Sequence, residues 1–266
     1  MEQIVFADTW ESYFQRFSLT TPEEFYRLST KYKPRQMSTK KAVVVNFEVG
    51  ENRQEKEFFI KWYLRVSWKN KLRTWRKFGK RYSQARVEWE TAHSLLQRGI
   101  PTYQPICYGE DRGVFFEKQS FLVTRKLSQP SLAEYLRTHW SRISEAQREI
   151  LLTSLATFIR HMHDQGILFP DLYTKHIFLE STNSGEYHFT LIDLQRISQQ
   201  ETNRRKQIKD LGALDQSLPT NLVGPHYRYL FTQAYVGTNW PGRTATLHRQ
   251  IQKRSRHLAR RHHARK

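Results

Sequence analysis

Five side chains in this sequence are of types that neutralise charge or move protons, and they follow one another in a set order. Lys61 sits in the apolar run Phe58-Phe59-Ile60-Lys61-Trp62-Tyr63. Glu88 lies in the next helix-forming stretch. Asp171 and His176 share the segment Phe169-Pro170-Asp171-Leu172-Tyr173-Thr174-Lys175-His176, and Asp193 closes Leu191-Ile192-Asp193-Leu194. Each has an ordinary reading: Lys61 as an edge-strand residue, Glu88 on a misjudged helix face, Asp171 as a turn or cap, His176 as loop filling. Asp193, between apolar residues, is harder to dismiss, because a buried carboxylate without a partner is costly. As an ordered set they suit phosphoryl transfer. That reaction needs positioning and cancellation of charge rather than covalent help from the protein.

The elements that must hold these residues can be read from periodicity. Thr21–Leu28 reads as a short helix with Thr21 as cap and Pro22 in its first turn. Ala42–Val49 alternates as a strand and Glu57–Val66 follows as a second, a hairpin turning at Gly50-Glu51-Asn52. Ser83–Arg98 predicts a helix capped by Ser83 and stopped by Gly99 and Pro101. At 100° per residue, Trp89, Ala92, Leu95 and Leu96 fall within about 80° of Ala85, and Glu88 falls at about 300°, inside that stripe. Short strands are expected at Pro105–Gly109, Gly113–Phe116 and Ser120–Thr124. A long helix follows at Ile143–Gln165, with a Ser144/Gln147 capping box and a face of Ile150, Leu151, Ser154, Leu155, Phe158, Ile159 and Met162. Ile177–Leu179 and His188–Leu194 form a further hairpin, the one that separates Asp171 from Asp193. The fold class expected is α+β and protein-kinase-like, bilobal, with a small antiparallel-sheet amino lobe and a mostly helical carboxyl lobe. The divisions are residues 1–124, 125–242 and a basic C-terminal tail at 243–266, with the lobes joined near Thr124–Ser128.

In the protein-kinase template, a strand lysine holds nucleotide phosphates and is oriented by a helix glutamate. An aspartate accepts the proton of the substrate hydroxyl, and two later ligands hold magnesium. Further motifs narrow the match: Ala85-Arg86-Val87-Glu88-Trp89-Glu90, Gly99-Ile100-Pro101-Thr102, Tyr108-Gly109-Glu110, Met162-His163, His176-Ile177-Phe178-Leu179, Arg196 and Lys209-Asp210-Leu211. Over about residues 25–235 the chain resembles the lipopolysaccharide kinase family, which covers the core heptose kinases and the Kdo kinases, and it is closest to the former. The resemblance implies ATP- and Mg2+-dependent phosphorylation of an inner-core sugar of lipopolysaccharide, heptose rather than Kdo. It implies Lys61 on nucleotide phosphates, Glu88 as its partner, Asp171 as catalytic base, and Asp193 and His176 at the metal. Thr124, Arg125, Lys126 and Leu127, at the junction of the lobes, are further candidate nucleotide contacts.

The sequence departs from the pattern at three places. No glycine-rich loop precedes Ala42, and the matching Ser29–Lys41 stretch is basic instead. Phe169-Pro170 replaces the His-Arg that usually precedes the catalytic aspartate, removing an arginine able to bind an activating phosphate. Gln195 stands where the family pattern has histidine.

Charge adds a second line of evidence. The net charge is +19, yet segments 61–81 and 243–266 each carry nine Lys and Arg and no acidic residue. Such segments suit an anionic partner. The reading adopted is a peripheral contact with an anionic membrane surface through 243–266, and through 61–81 as a second contact. In the tail helix, Leu247, Ile251 and Leu258 form a narrow line, expected to be too small to bury in a core. The rival reading is an inactive kinase-like protein that binds nucleic acid or membrane through these segments, with Trp62, Tyr63, Trp68, Trp75 and Phe78 stacking on bases. A third keeps the chemistry and changes the acceptor to another small molecule or a protein. The lone Cys107 excludes an intramolecular disulfide framework, and no zinc spacing is present. His161 and His163 read as helix-end packing. No signal pattern opens the chain and the apolar stretch Ile150–Ile159 is too short to span a bilayer. The expected location is cytoplasmic, on the inner face of the inner membrane.

Overall fold

The structure is a computed structural model that describes residues 2–8, 10–31, 35–37, 40–49, 54–64, 66, 74, 82–113, 117–182, 184–237 and 244–263. The Gly50-Glu51-Asn52 turn, residues 114–116 and most of segment 61–81, including Trp68, Trp75 and Phe78, lie outside them. So do parts of the basic Ser29–Lys41 stretch. The chain forms two compact units, Met1–Lys126 and Leu127–Lys266.

The first unit runs β1 (Glu2–Phe6), α1 (Trp10–Gln15), α2 (Pro22–Lys31), β2 (Arg35–Met37), β3 (Lys40–Val49), β4 (Gln54–Tyr63), α3 (Gln84–Gln97), β5 (Pro105–Arg112) and β6 (Glu117–Arg125). Its strands form one antiparallel sheet in the order β1-β5-β6-β4-β3-β2. β4 is therefore interior, hydrogen-bonded to β3 on one side and β6 on the other, which removes the edge-strand reading of Lys61. Alternation along β4 sends Phe58, Ile60 and Trp62 into a core with Tyr13, Phe14, Phe25 and Phe121. Phe59, Lys61 and Tyr63 take the opposite face. Aromatic rings fill that core, Phe25 stacking on Phe121 at 4.7 Å and Phe14 lying 5.2 Å from Phe58. Gly109 makes room for it: a Cβ there would sit 2.2 Å from the Phe121 ring. Helix α3 starts where Ser83 Oγ accepts from the Arg86 amide.

The second unit runs α4 (Leu132–His139), α5 (Glu145–Asp164), β7 (Ile177–Ser181), β8 (Tyr187–Leu191), α6 (Arg204–Ser217), α7 (Pro225–Val236) and α8 (Thr244–His263), with single helical turns at Thr174–His176 and Leu194–Arg196. Helix α5 opens on the Ser144/Gln147 capping box and ends at Gly166, whose φ of 69° suits a residue without a Cβ. Its buried face is rotated from the expected one. Leu151, Leu152, Leu155, Ala156, Ile159 and Met162 are inside, whereas Ile150 is 46% exposed.

The C-terminal basic segment is not a separate tail. Helix α8 packs along α6 and against α7, and Leu247 and Ile251 are each only 3% exposed. The three-residue apolar line suffices because α6 carries Gly212 at the contact. A Cβ there would fall 2.3 Å from Arg254 Cγ, so its absence lets the helices approach closely. His248 of α8 lies 3.0 Å from Thr232 Oγ1 of α7 through Nδ1, and 2.8 Å from Gln252 Nε2 through Nε2. Burial holds its pKa below the usual 6.5, with Arg228 adding to the effect and Asp215 opposing it. The unfolded chain then takes up the proton more readily. The stability this site contributes is present above pH about 6.5 and is lost as pH falls through the lower folded value. Wild type is expected to lose melting temperature between pH 7.5 and 5.5 more steeply than His248→Gln; parallel profiles in thermal melts would contradict this.

Candidate active site

In the first unit a buried carboxylate gathers three donors. Lys61 Nζ donates to Glu88 Oε1 at 2.7 Å, Tyr63 OH to the same oxygen at 2.6 Å, and Tyr103 OH to Oε2 at 3.1 Å. Glu88 is 1% exposed and Lys61 14%. The strand period explains the first two contacts, since residues 61 and 63 share one face of β4. The helix period explains Glu88, which sits among Ala85, Trp89, Ala92 and Leu95, all buried. The outcome is one ammonium, pinned at its root in a central strand, with its head aimed by a carboxylate that cannot move.

In the second unit the segment after α5 is anchored from several sides. Leu168 and Ser198 exchange both backbone hydrogen bonds at 2.9 Å. The Phe169 amide donates to Asp210 Oδ2 of α6 at 2.7 Å. Asp210 is buried, with His163 Nε2 3.6 Å from the same oxygen, and His163 Nδ1 lies 2.7 Å from Tyr235 OH. The apolar Phe169 that replaces histidine is itself fully buried, its ring 6.3 Å from that of His176. On this platform Asp171 is 16% exposed, and Arg196 Nη1 donates to its Oδ1 at 2.6 Å. Support for Asp171 thus comes from Arg196, on the turn just after Asp193, and not from the residues before it.

His176 Nδ1 lies 2.8 Å from the Asp171 carbonyl oxygen. A carbonyl only accepts, so Nδ1 carries the proton. Burial lowers the His176 pKa below its ordinary value, against the opposing pull of that hydrogen bond and of Asp193. The ring is therefore neutral at pH 7 and presents its Nε2 lone pair, 3.8 Å from Asp193 Oδ2. Asp193 has left-handed backbone angles, φ 59° and ψ 59°. For a residue with a Cβ that conformation costs energy and persists only where neighbours impose it; the Ile192 amide beside it is tied to the His176 carbonyl at 3.0 Å. Among the described residues no three His, Cys, Asp or Glu side chains form a self-contained metal centre. One carboxylate and one imidazole fit a cation that arrives on a phosphate chain, as Mg2+ commonly does.

The candidates at the junction are placed less uniformly. Thr124 is buried in β6. The Arg125 amide donates to the Gln104 carbonyl and the Lys126 amide to the Glu57 carbonyl, each at 3.0 Å, and Lys126 Nζ pairs with Glu57 at 2.7 Å. The Leu127 amide makes no hydrogen bond among the described residues. Tyr63 and Tyr103, as partners of Glu88, and Asp210, as the anchor of Phe169, were not legible as such in the sequence. Tyr63 had a signal, its two-residue spacing from Lys61. Asp210 stood in the motif Lys209-Asp210-Leu211, which did not name Phe169 as its partner, and Tyr103 had no signal, because each meets its partner only in the fold.

Comparison with known proteins bears on the family and the fold. The model of the lipopolysaccharide kinase (Kdo/WaaP) family matches residues 37–240. The chain is 28% identical over 136 residues to the lipopolysaccharide core heptose(I) kinase WaaP of Pseudomonas aeruginosa, covering 49% of this chain and 51% of that protein. It is 28% identical over 162 residues to the Escherichia coli K12 protein of the same name, covering 59% and 61%. The matches thus span about half to three fifths of those relatives' length. Among solved structures, WaaP in complex with acyl carrier protein superposes with a TM-score of 0.67 at 20% identity, over 96% of this chain and 99% of that one. The shared fold is α+β and kinase-like.

Proposed function

This chain belongs to the lipopolysaccharide kinase (Kdo/WaaP) family, and on that premise we propose that it transfers the γ-phosphoryl group of ATP to a heptose of the lipopolysaccharide inner core. The observation that carries this reading is the Lys61–Glu88 pair, a cation fixed on an interior strand by a buried carboxylate at 2.7 Å. A fixed ammonium is worth most where charge builds on a phosphate chain and no reorganisation is needed at the moment of transfer. Lys61 holds the α- and β-phosphates, and Glu88, Tyr63 and Tyr103 hold Lys61. Asp171 accepts the proton of the acceptor hydroxyl as its oxygen attacks phosphorus. Arg196 occupies Oδ1 of Asp171 and so orients Oδ2 for that proton. Asp193 and His176 Nε2 would hold Mg2+, which when bound neutralises phosphate charge. Thr124–Leu127 supply nucleotide contacts, with the Leu127 amide as a donor.

The test is to incubate the purified protein with labelled ATP and defined core oligosaccharides and to locate the phosphate by mass spectrometry. Phosphate on a heptose hydroxyl supports the reading. Transfer to Kdo, or to no core sugar, overturns it.

A location at the inner face of the inner membrane is part of the same proposal. On α8, Arg249, Lys253, Arg256 and Arg260 are exposed and fall within about 60° of one another at 100° per residue, opposite Leu247 and Ile251. Beside an anionic leaflet each such cation is worth about 1 kcal/mol, and less as salt rises. Replacing all four by glutamine is expected to weaken binding to phosphatidylglycerol vesicles strongly at low salt and little at high salt. Equal binding at low salt would move the contact to segment 61–81. Among the described residues no helix is long and apolar enough to cross a membrane.

A further inference from the structure

A pocket of about 520 Å³ opens in the second unit beside the catalytic loop, with Pro170 and Tyr173 in its wall. Its charged lining is Arg196, Lys206, Lys209, Arg254 and Arg261 against a single carboxylate, Asp210. Asp210 is already engaged by the Phe169 amide. Arg196 is held by Asp171 and Lys206 by Glu201. Lys209, Arg254 and Arg261 have no ion-pair partner among the described residues. Arg254 Nε is buried and makes no hydrogen bond there, which leaves a desolvated donor, a costly arrangement unless something accepts from it. Its stem is fixed, since its Cβ and Cγ lie in the space left by Gly212.

Like charges gathered in a concave, partly dry wall repel one another unless an anion joins them. Guanidinium groups in that setting match carboxylate and phosphate oxygens. Arg254 and Arg261 come from α8, beyond residue 240 where the family match stops. Arg196 ties the pocket directly to Asp171.

We propose that this pocket binds an acidic substituent, a carboxylate or a phosphate group, carried by the acceptor next to the sugar that Asp171 serves. Arg254, Arg261 and Lys209 take its oxygens. The same helix thus turns one basic face inward to the acceptor and the other outward. The inference rests on the kinase reading for the identity of the acceptor, but its binding chemistry can be measured without phosphoryl transfer.

The experiment is calorimetric titration of the full chain, without ATP, with two core oligosaccharides. One keeps its acidic groups, and the other has its carboxylates reduced and its phosphates removed. Wild type should bind the acidic form at least about tenfold more tightly. Arg254→Gln should erase most of that difference while leaving the weak affinity for the neutral form unchanged. Arg261→Gln, at an exposed position where folding is not at stake, should do so in part. Inorganic phosphate in the millimolar range should compete with the acidic form in wild type. Equal binding of both oligosaccharides by wild type, or an equal loss on both in the arginine variants, overturns the proposal. Binding of inorganic phosphate without any preference for the acidic oligosaccharide also overturns it, by assigning the pocket to a free anion. A charge-dependent affinity in a protein that transfers no phosphate would instead sink the kinase reading and leave the pocket assignment standing.

Discussion

Replacement of Asp171 by alanine is expected to lower phosphoryl transfer by about 10²- to 10⁴-fold, the usual contribution of a positioned base, while MgATP still binds. The carboxylate is partly exposed, held at one oxygen by Arg196 at 2.6 Å, and its backbone carbonyl is tied to His176. On the proposed reading its other oxygen serves the acceptor and not the nucleotide. Single-turnover transfer from γ-labelled ATP gives the rate, and equilibrium titration with a fluorescent ATP analogue gives the affinity. Asp193→Ala provides the contrast: it should lose the magnesium-dependent part of nucleotide affinity. Near wild-type turnover in the Asp171 variant would remove the base assignment. Unchanged MgATP affinity in the Asp193 variant would remove the metal assignment.

The second large effect is expected at Glu88. Alanine there leaves three donors, Lys61 Nζ, Tyr63 OH and Tyr103 OH, without their common acceptor in a site from which water is nearly excluded. Breaking a buried pair by removing one partner costs about 3–5 kcal/mol. Glu88→Ala should therefore both destabilise the protein and abolish turnover. Glu88→Gln separates the two. The amide keeps the volume, and its single oxygen can still accept at one of the two positions to which Tyr63 and Tyr103 donate, so the loss of stability should be smaller than for alanine. It cannot supply the charge that aims Lys61, so turnover should still fall steeply. Chemical denaturation and kcat at saturating ATP read the two effects separately. A Glu88→Gln enzyme with wild-type kcat would show that the pair is structural only. A double-mutant cycle with Lys61→Met then gives the coupling between the two residues.

Some features were legible because their causes are local. The caps at Ser83 and at Ser144 with Gln147, the stop at Gly166 and the pairing of β3 with β4 and of β7 with β8 depend on residues within a turn or a hairpin of each other. The angle of Glu88 on its helix is also local, being set by 100° per residue. The amino-terminal strand was missed for the opposite reason: Glu2 pairs with Asp111, more than a hundred residues away, and nothing in Glu2–Phe6 names that partner.

The sequence by itself determined the chemistry available to this protein: a lysine in a strand, a glutamate on the apolar face of the next helix, and two aspartates and a histidine around one hairpin. Only the tertiary structure decided how those groups are held. Arg196 supports Asp171, Asp210 holds the loop through Phe169, and two tyrosines complete the cradle of Glu88. It also decided that α8 is part of the second unit, because three apolar residues bury a helix only where a facing glycine lets the backbones come close. The difference is physical: propensity, capping and periodicity act over a few residues along the chain, whereas a hydrogen bond between residues 169 and 210, or a helix seated on Gly212, depends on shapes that exist only after the chain has folded.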